Sequence, residues 1–193
     1  MQLHFYKYQG AGNDFILIDN RQKQISLSQV QIEILCDRRF GVGADGLMLL
    51  EPVDGYDFKM VYYNSDGKES SMCGNGGRCI SAFAQKIGVV KDEAKFIAVD
   101  GPHHAIIKED WVSLEMKDVS EIERGKDYFY LNTGSPHYVK FVENVEEYPV
   151  YTEAQKIRFN ERFSKEGTNV NFAEKKDGRI IVRTYERGVE NET

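Results

Sequence analysis

The stretch NSDGKESSMCGNGGRC, residues 64 to 79, sets Cys73 directly before Gly74, Asn75, Gly76 and Gly77. Beyond the glycines, Ile80, Phe83, Ala84 and Ile87 fall at i, i+3, i+4 and i+7, so a helix is expected to run to about Gly88. Backbone N–H groups in a helix's first turn have no partner within it, and with the macrodipole they act as about half a positive charge. A carboxylate can dock on the N–H groups of Gly74 and Asn75, and a thiol at the same helix start can have its pKa drawn by that positive end below about 8.5. The glycines permit close approach. A thiol next to a bound carboxylate is placed to remove or deliver the proton on the carbon that bears it. The same N–H groups would stabilise the enediolate-like charge that develops, one such donor commonly being worth about 3 kcal/mol. Three other readings of Cys73 stay open. It could be a small buried hydrophobe at a turn. The glycines could cradle a phosphate, although the Lys of a P-loop and the spacing of a dinucleotide fingerprint are missing. Or the sulfur could be a hydrolase or transferase nucleophile, which needs a base such as His137 or Glu186.

The remaining candidates are weaker when taken singly. His137 opens an apolar strand in TGSPHYVKFV and reads equally as a capped turn histidine. Glu186 and Arg187 end a strand and read equally as an exposed ion pair. Asn13, Asn64 and Asn169 are turn-prone residue types. Cys36 and Cys79 fall inside expected helices without a polar, glycine-rich approach, as core thiols do, and His103 with His104 marks a turn and strand start. Cys73 and Cys79 are six residues apart, and no CxxC or HxxxH spacing occurs, so no metal is expected. An odd count of three cysteines speaks for reduced thiols.

The elements that must position these residues follow from pattern. QLHFYKY and FILID read as strands around the polar turn GAGND. SLSQVQIEILCDRRFG reads as a helix with Ser28 as N-cap, an apolar face at Val30, Ile34 and Leu35, and Gly41 just past its end. LMLLE and FKMVYYN read as strands, as do 95–100, 104–108 and 111–116. A first domain, 1–117, would close there, and the charged segment KDVSEIERGKD reads as a connection into a second, 118–193. The second begins like the first. Asn13 and His137 each lie 30 residues before a glycine, Gly43 and Gly167, and 51 and 49 residues before the strand-end residues Asn64 and Glu186. An internal duplication is one reading of this recurrence. It places a counterpart of Cys73 about nine positions after Glu186, whereas the sequence runs seven further, to Thr193, so the second unit is expected to be incomplete.

Composition bounds the partners. With 193 residues, 41% of them apolar, the chain can bury a real core. A net charge of −6 without a Lys/Arg block argues against nucleic acid. No apolar run reaches the roughly 18 residues of a membrane span, and the start lacks the layout of a signal peptide. A small polar ligand, a cytoplasmic location, no membrane and no bound cofactor are the expectations, and a homodimer stays open.

With GAGNDF (10–15), GVGADG (41–46), YNSDG (63–67), CGNGGRC (73–79), TNVNF (168–172) and YERG (185–188) in that order, the sequence resembles the diaminopimelate epimerase family over nearly its whole length. The resemblance implies an α/β (α+β) fold of two similar units, each a curved mixed sheet around a central helix, with the active site in the cleft between them. It implies interconversion of LL- and meso-2,6-diaminopimelate, in lysine and peptidoglycan precursor synthesis, without pyridoxal phosphate or metal. Two cysteines would act from opposite faces of the α-carbon, and Cys73 matches one of them. Gly74 and Asn75 would bind the reacting carboxylate. Asn13, Asn64, Asn169 and Arg187 would hold the substrate, and His137 and Glu186 would tune the thiols or contact the reacting amine. Two departures stand out. Gly46 occupies a position where many members carry Gln, and the family's second cysteine, which follows YERG, has no match here. The chain is therefore expected to be inactive or impaired on its own, with a non-catalytic substrate-binding protein of the same fold as the alternative.

Overall fold

The structure, a computed structural model, describes residues 2–193 and divides into two compact units, Met1–Met116 and Lys117–Thr193. The first unit holds seven strands: β1 (Tyr6–Gly10), β2 (Asn13–Asp19), β3 (Gly46–Glu51), β4 (Phe58–Asn64), β5 (Glu93–Ala98), β6 (Gly101–Lys108) and β7 (Trp111–Leu114). They lie side by side in chain order. β2–β3 and β4–β5 pair in parallel and the other neighbours antiparallel. Each parallel pair needs a crossover. Helix α1 (Gln29–Cys36) supplies the first and α2 (Gly74–Lys86) the second.

Helix α2 packs against both β1 and β7, the two edges of the sheet, so the sheet curls around it. Its broad apolar face, Ile80, Phe83 and Ala84, meets Phe15, Leu17, Met48, Leu50 and Met60. The intervening residues Ile16, Ile18, Leu47, Leu49 and Val61 point to the other face and pack with Ile32 and Cys36 of α1. Strands buried on both faces read as unbroken apolar runs, which is why FILI and LMLL do not alternate.

Helix α1 starts where the sequence indicates, with Ser28 and Gln31 forming a capping box, but it buries the other face. Ile32 and Cys36 are buried and Leu35 partly so, while Val30 and Ile34 are 60% and 54% exposed. QVQIEILC carries two apolar i, i+4 pairs about 200° apart around the helix. Only the position of the sheet chooses between them.

The second unit has six strands: β8 (Ile122–Arg124), β9 (Phe129–Asn132), β10 (Pro136–Phe141), β11 (Asn169–Lys176), β12 (Arg179–Glu186) and β13 (Asn191–Glu192), in the order β13-β12-β11-β10-β9-β8. β8 lies in the segment read as a mere connection. It is a three-residue exposed edge strand on β9, too short to show a period. The crossover between the parallel pair β10–β11 contains α3 (Val150–Arg158), whose Val150 and Ala154 pack with Tyr138, Phe163, Val170, Phe172 and Tyr185. Thus β9-β10-α3-β11-β12 repeats the antiparallel, parallel, antiparallel order of β1-β2-α1-β3-β4. The opposite face of this sheet, with Val139, Phe141, Ala173, Val182 and Ile180, meets no counterpart of α2 among the described residues. Phe141, Val182 and Ile180 are exposed.

Candidate active site

In the first unit, Asn13 opens β2, Gly46 opens the parallel β3, and Asn64 closes the antiparallel β4 opposite Gly46. Register alone therefore brings these positions to one end of the sheet. Cys73 is the N-cap of α2, in extended backbone (φ −101°, ψ 133°) and half-buried. Its Sγ lies 3.6 Å from Asn13 Oδ1, the thiol donating. Asn13 is fully buried, and its Nδ2 donates to Asp45 Oδ2 at 2.7 Å. Asp45 also accepts the Asp14 N–H (3.1 Å) and an Arg38 N–H (2.7 Å). The carboxylate thus takes the nitrogen of the Asn13 amide and leaves its oxygen for the sulfur.

Asp14 belongs to the same network. Burial pushes its carboxyl up, but hydrogen bonds from Arg38 and Lys7 outweigh this and hold it well below the ordinary carboxylate range. Lys7 also donates to the Gly43 carbonyl.

Gly74 and Asn75 form the first turn of α2 beside the sulfur. Asn75 Oδ1 accepts from Arg78, whose guanidinium lies at this same turn and adds positive charge where the helix dipole already favours an anion. The next two glycines leave room for the ends of flexible core side chains. A Cβ on Gly76 would lie 2.4 Å from Met48 Cε, and one on Gly77 2.8 Å from Leu114 Cδ2. Gly46 has a similar cause: a Cβ there would lie 2.5 Å from the Tyr62 ring and 2.6 Å from the Tyr63 carbonyl oxygen. This chain fills with Tyr62 the room a larger residue at position 46 would need.

The second unit gathers His137, second in β10, Asn169, opening the parallel β11, Glu186, closing β12, and Arg187 just past it, again at one sheet end. Asn169 Oδ1 accepts the Arg187 N–H at 2.9 Å, and its Nδ2 lies 3.4 Å from His137 Nε2. Glu186 accepts from Thr193 Oγ1 at 3.0 Å. Arg187 reaches the Glu166 carbonyl (3.0 Å) and Ser135 Oγ (3.4 Å). Asn171 contacts His137 Nδ1 at 3.1 Å. Burial lowers the His137 pKa, and the Arg187 charge acts in the same sense. The Asn171 bond would oppose this only with the amide oxygen at the ring. The amide nitrogen is held there instead, donating also to the Tyr138 carbonyl at 3.0 Å, while its oxygen accepts from Thr184 at 2.9 Å.

Each sheet end therefore collects one subset of the expected residues: Asn13, Asn64, Cys73, Gly74 and Asn75 in the first unit, and His137, Asn169, Glu186 and Arg187 in the second. Sequence reasoning missed Asp45, Arg78 and Asn171. Asn171 carried a usable signal, since strand period puts it on the same face as Asn169 two residues earlier. The partners of Asp45 lie 7 to 32 residues away, and nothing local announces them. Cys36 and Cys79 are buried, and burial pushes both thiols up to about 11.

A family model described as diaminopimelate epimerase matches residues 5–120. The sequence is 53% identical over 194 residues to a diaminopimelate epimerase of Flavobacterium psychrophilum, covering 99% of this chain and 76% of that protein. It is 42% identical over 193 residues to one of Chlorobaculum tepidum, covering 95% and 75%. Among solved structures, a Bacillus anthracis phenazine biosynthesis protein of the PhzF family superposes with a TM-score of 0.69 at 12% identity, covering 100% of this chain and 75% of that one. A methylitaconate-delta-isomerase superposes at 0.54 and 10% identity. At such identities these two speak for the fold alone, while the sequence matches span both units: this chain belongs to the diaminopimelate epimerase family.

Proposed function

We propose that the protein acts on LL- and meso-2,6-diaminopimelate in the cytoplasm, in lysine and peptidoglycan precursor synthesis, with Cys73 serving one face of the α-carbon. The observation that carries this reading is the half-buried Cys73 sulfur at the N-cap of α2. It is held against a fixed Asn13 oxygen beside the first-turn N–H groups of Gly74 and Asn75 and the Arg78 cation. As thiolate, Cys73 takes the α-proton. The electron pair moves into the substrate carboxylate, which the N–H groups at the helix start stabilise as it gains charge. Asn13, Asn64, Asn169 and Arg187 are the residues proposed to hold the substrate, the last two by an amide and a cation suited to its distal amino-acid end, and His137 and Glu186 those proposed to tune the thiol chemistry or meet the reacting amine.

Inversion requires an acid on the opposite face, because a single thiol returns the proton to the side it came from. Neither Cys36 nor Cys79 can supply it, since both are core residues with raised pKa values. On the two-thiol reading the second acid is therefore not among residues 2–193, and these residues alone exchange the α-proton at best, with retention.

The test is incubation with LL-diaminopimelate in D₂O, using this chain and a version extended by a second glycine-flanked cysteine motif. Deuterium incorporation with inversion is expected only from the extended version, and Cys73→Ala or Cys73→Ser should abolish it. Robust inversion by the 193-residue chain would overturn the two-thiol assignment, and undiminished exchange by Cys73→Ala would overturn the role of Cys73.

A further inference from the structure

We propose that Asn171 is a positioning residue that fixes His137 as a neutral imidazole with its proton on Nε2, a hydrogen-bond donor and not a proton acceptor. The Asn171 amide is held from both of its ends. Its oxygen accepts from Thr184 Oγ1 at 2.9 Å, and its nitrogen donates to the Tyr138 carbonyl at 3.0 Å. A backbone carbonyl can only accept, so turning the amide over would place two oxygens against each other and lose the bond to Tyr138, while the Thr184 hydroxyl could serve either orientation. The orientation is therefore set by the sheet, and the second amide hydrogen points at His137 Nδ1, 3.1 Å away. Asn171 is buried, as is the Tyr138 side chain of the strand it bonds to, so an unmade bond here would be costly.

A neutral imidazole has one acceptor nitrogen and one donor nitrogen. With Nδ1 accepting from Asn171, the proton resides on Nε2. At Nε2 the contact is Asn169 Nδ2 at 3.4 Å, also a donor, because the Asn169 oxygen is taken by the Arg187 N–H. The Nε2–H thus faces a group that cannot accept it and is left for an incoming acceptor. An imidazolium would set N–H against N–H at both ring nitrogens, so the neutral ring is retained, in keeping with the effects of burial and of Arg187. On the functional reading above, which gives this inference its catalytic meaning, His137 donates to an anionic group, a carboxylate or a thiolate. It does not compete with Cys73 for the α-proton.

Long-range ¹H–¹⁵N correlation spectra of the substrate-free 193-residue chain decide the matter. His137 is assigned among the four histidines by the signal lost in His137→Gln. The expected result is a pyridine-type Nδ1 and a pyrrole-type Nε2 at neutral pH. A pyrrole-type Nδ1, or two pyrrole-type nitrogens, overturns the proposal. In Asn171→Asp the new carboxylate accepts from Nδ1, so Nδ1 should become pyrrole-type and the titration midpoint of His137 should rise by about one pH unit or more. An unchanged tautomer in that variant overturns the role of Asn171. Should it not fold, Asn171→Leu removes the donor at Nδ1 and should give an averaged Nδ1 shift, and an unaltered native shift would count against the clamp. None of these readouts needs catalysis. A failed exchange assay with the Nε2–H tautomer present would therefore sink the functional reading and leave this one standing.

Discussion

Of the three thiols, only that of Cys73 stands at a helix start with polar neighbours. Cys36 and Cys79 lie in the two cores of the first unit, where a thiolate would be stripped of water. Iodoacetamide at mildly alkaline pH should therefore label Cys73 roughly tenfold faster or more than either core thiol, read by peptide mass spectrometry. Equal labelling in the folded protein would contradict the burial that separates them. His137 makes a second residue-scale prediction. Its folded pKa lies below the ordinary 6.5, so as pH falls below that value the unfolded chain takes up a proton that the folded ring refuses. Stability should fall as pH drops through 6.5 toward the lowered folded value and level off beneath it, by at most about 1.4 kcal/mol per pH unit. His137→Gln should flatten that part of the urea-midpoint profile.

At the scale of elements, α1 shows how local pattern can name a helix and miss its orientation. The N-cap at Ser28 was legible from residue type and place, and the structure adds Gln31, three residues on, as its partner in a capping box. The buried face was not, because Val30 with Ile34 and Ile32 with Cys36 are equally good apolar stripes. Ile32→Ala should cost about 2–4 kcal/mol, whereas Ile34→Ala should stay within about 0.5 kcal/mol. Equal costs in chemical denaturation would mean that α1 packs otherwise. Helix α2 is the opposite case. Its first turn is poor helix-forming sequence, and what holds it is fit: Gly76 and Gly77 let it close on Met48, Met72 and Leu114. The strand ends explain why residues so far apart in sequence gather. In a parallel pair both strands start at the same end, so Gly46 pairs with Phe15, two residues after Asn13, and His137 pairs with Asn169.

For the molecule as a whole, each unit has its own hydrophobic clusters: residues up to Leu114 in the first, and residues from Tyr128 onward in the second. We expect residues 1–116 expressed alone to fold, keeping Cys36 and Cys79 protected from alkylation while Cys73 stays reactive. Loss of that protection would show that the first unit depends on the second. No helix among the described residues is long and apolar enough to cross a membrane.

The sequence by itself determined the motifs and their order, the strands of the first unit, the helix after Cys73, and the duplicated spacing, because these rest on period, turn chemistry and separations along one chain. It also placed most of the candidate residues, since each sits at a strand start, a strand end or a helix cap. Only the tertiary structure decided which stripe of α1 is buried, that Tyr62 fills the space beside Gly46, and that Asp45 and Asn171 turn the buried amide of Asn13 and the ring of His137. Those outcomes depend on groups brought together across strands, and an amide's orientation is set by its partners and not by its place in the chain.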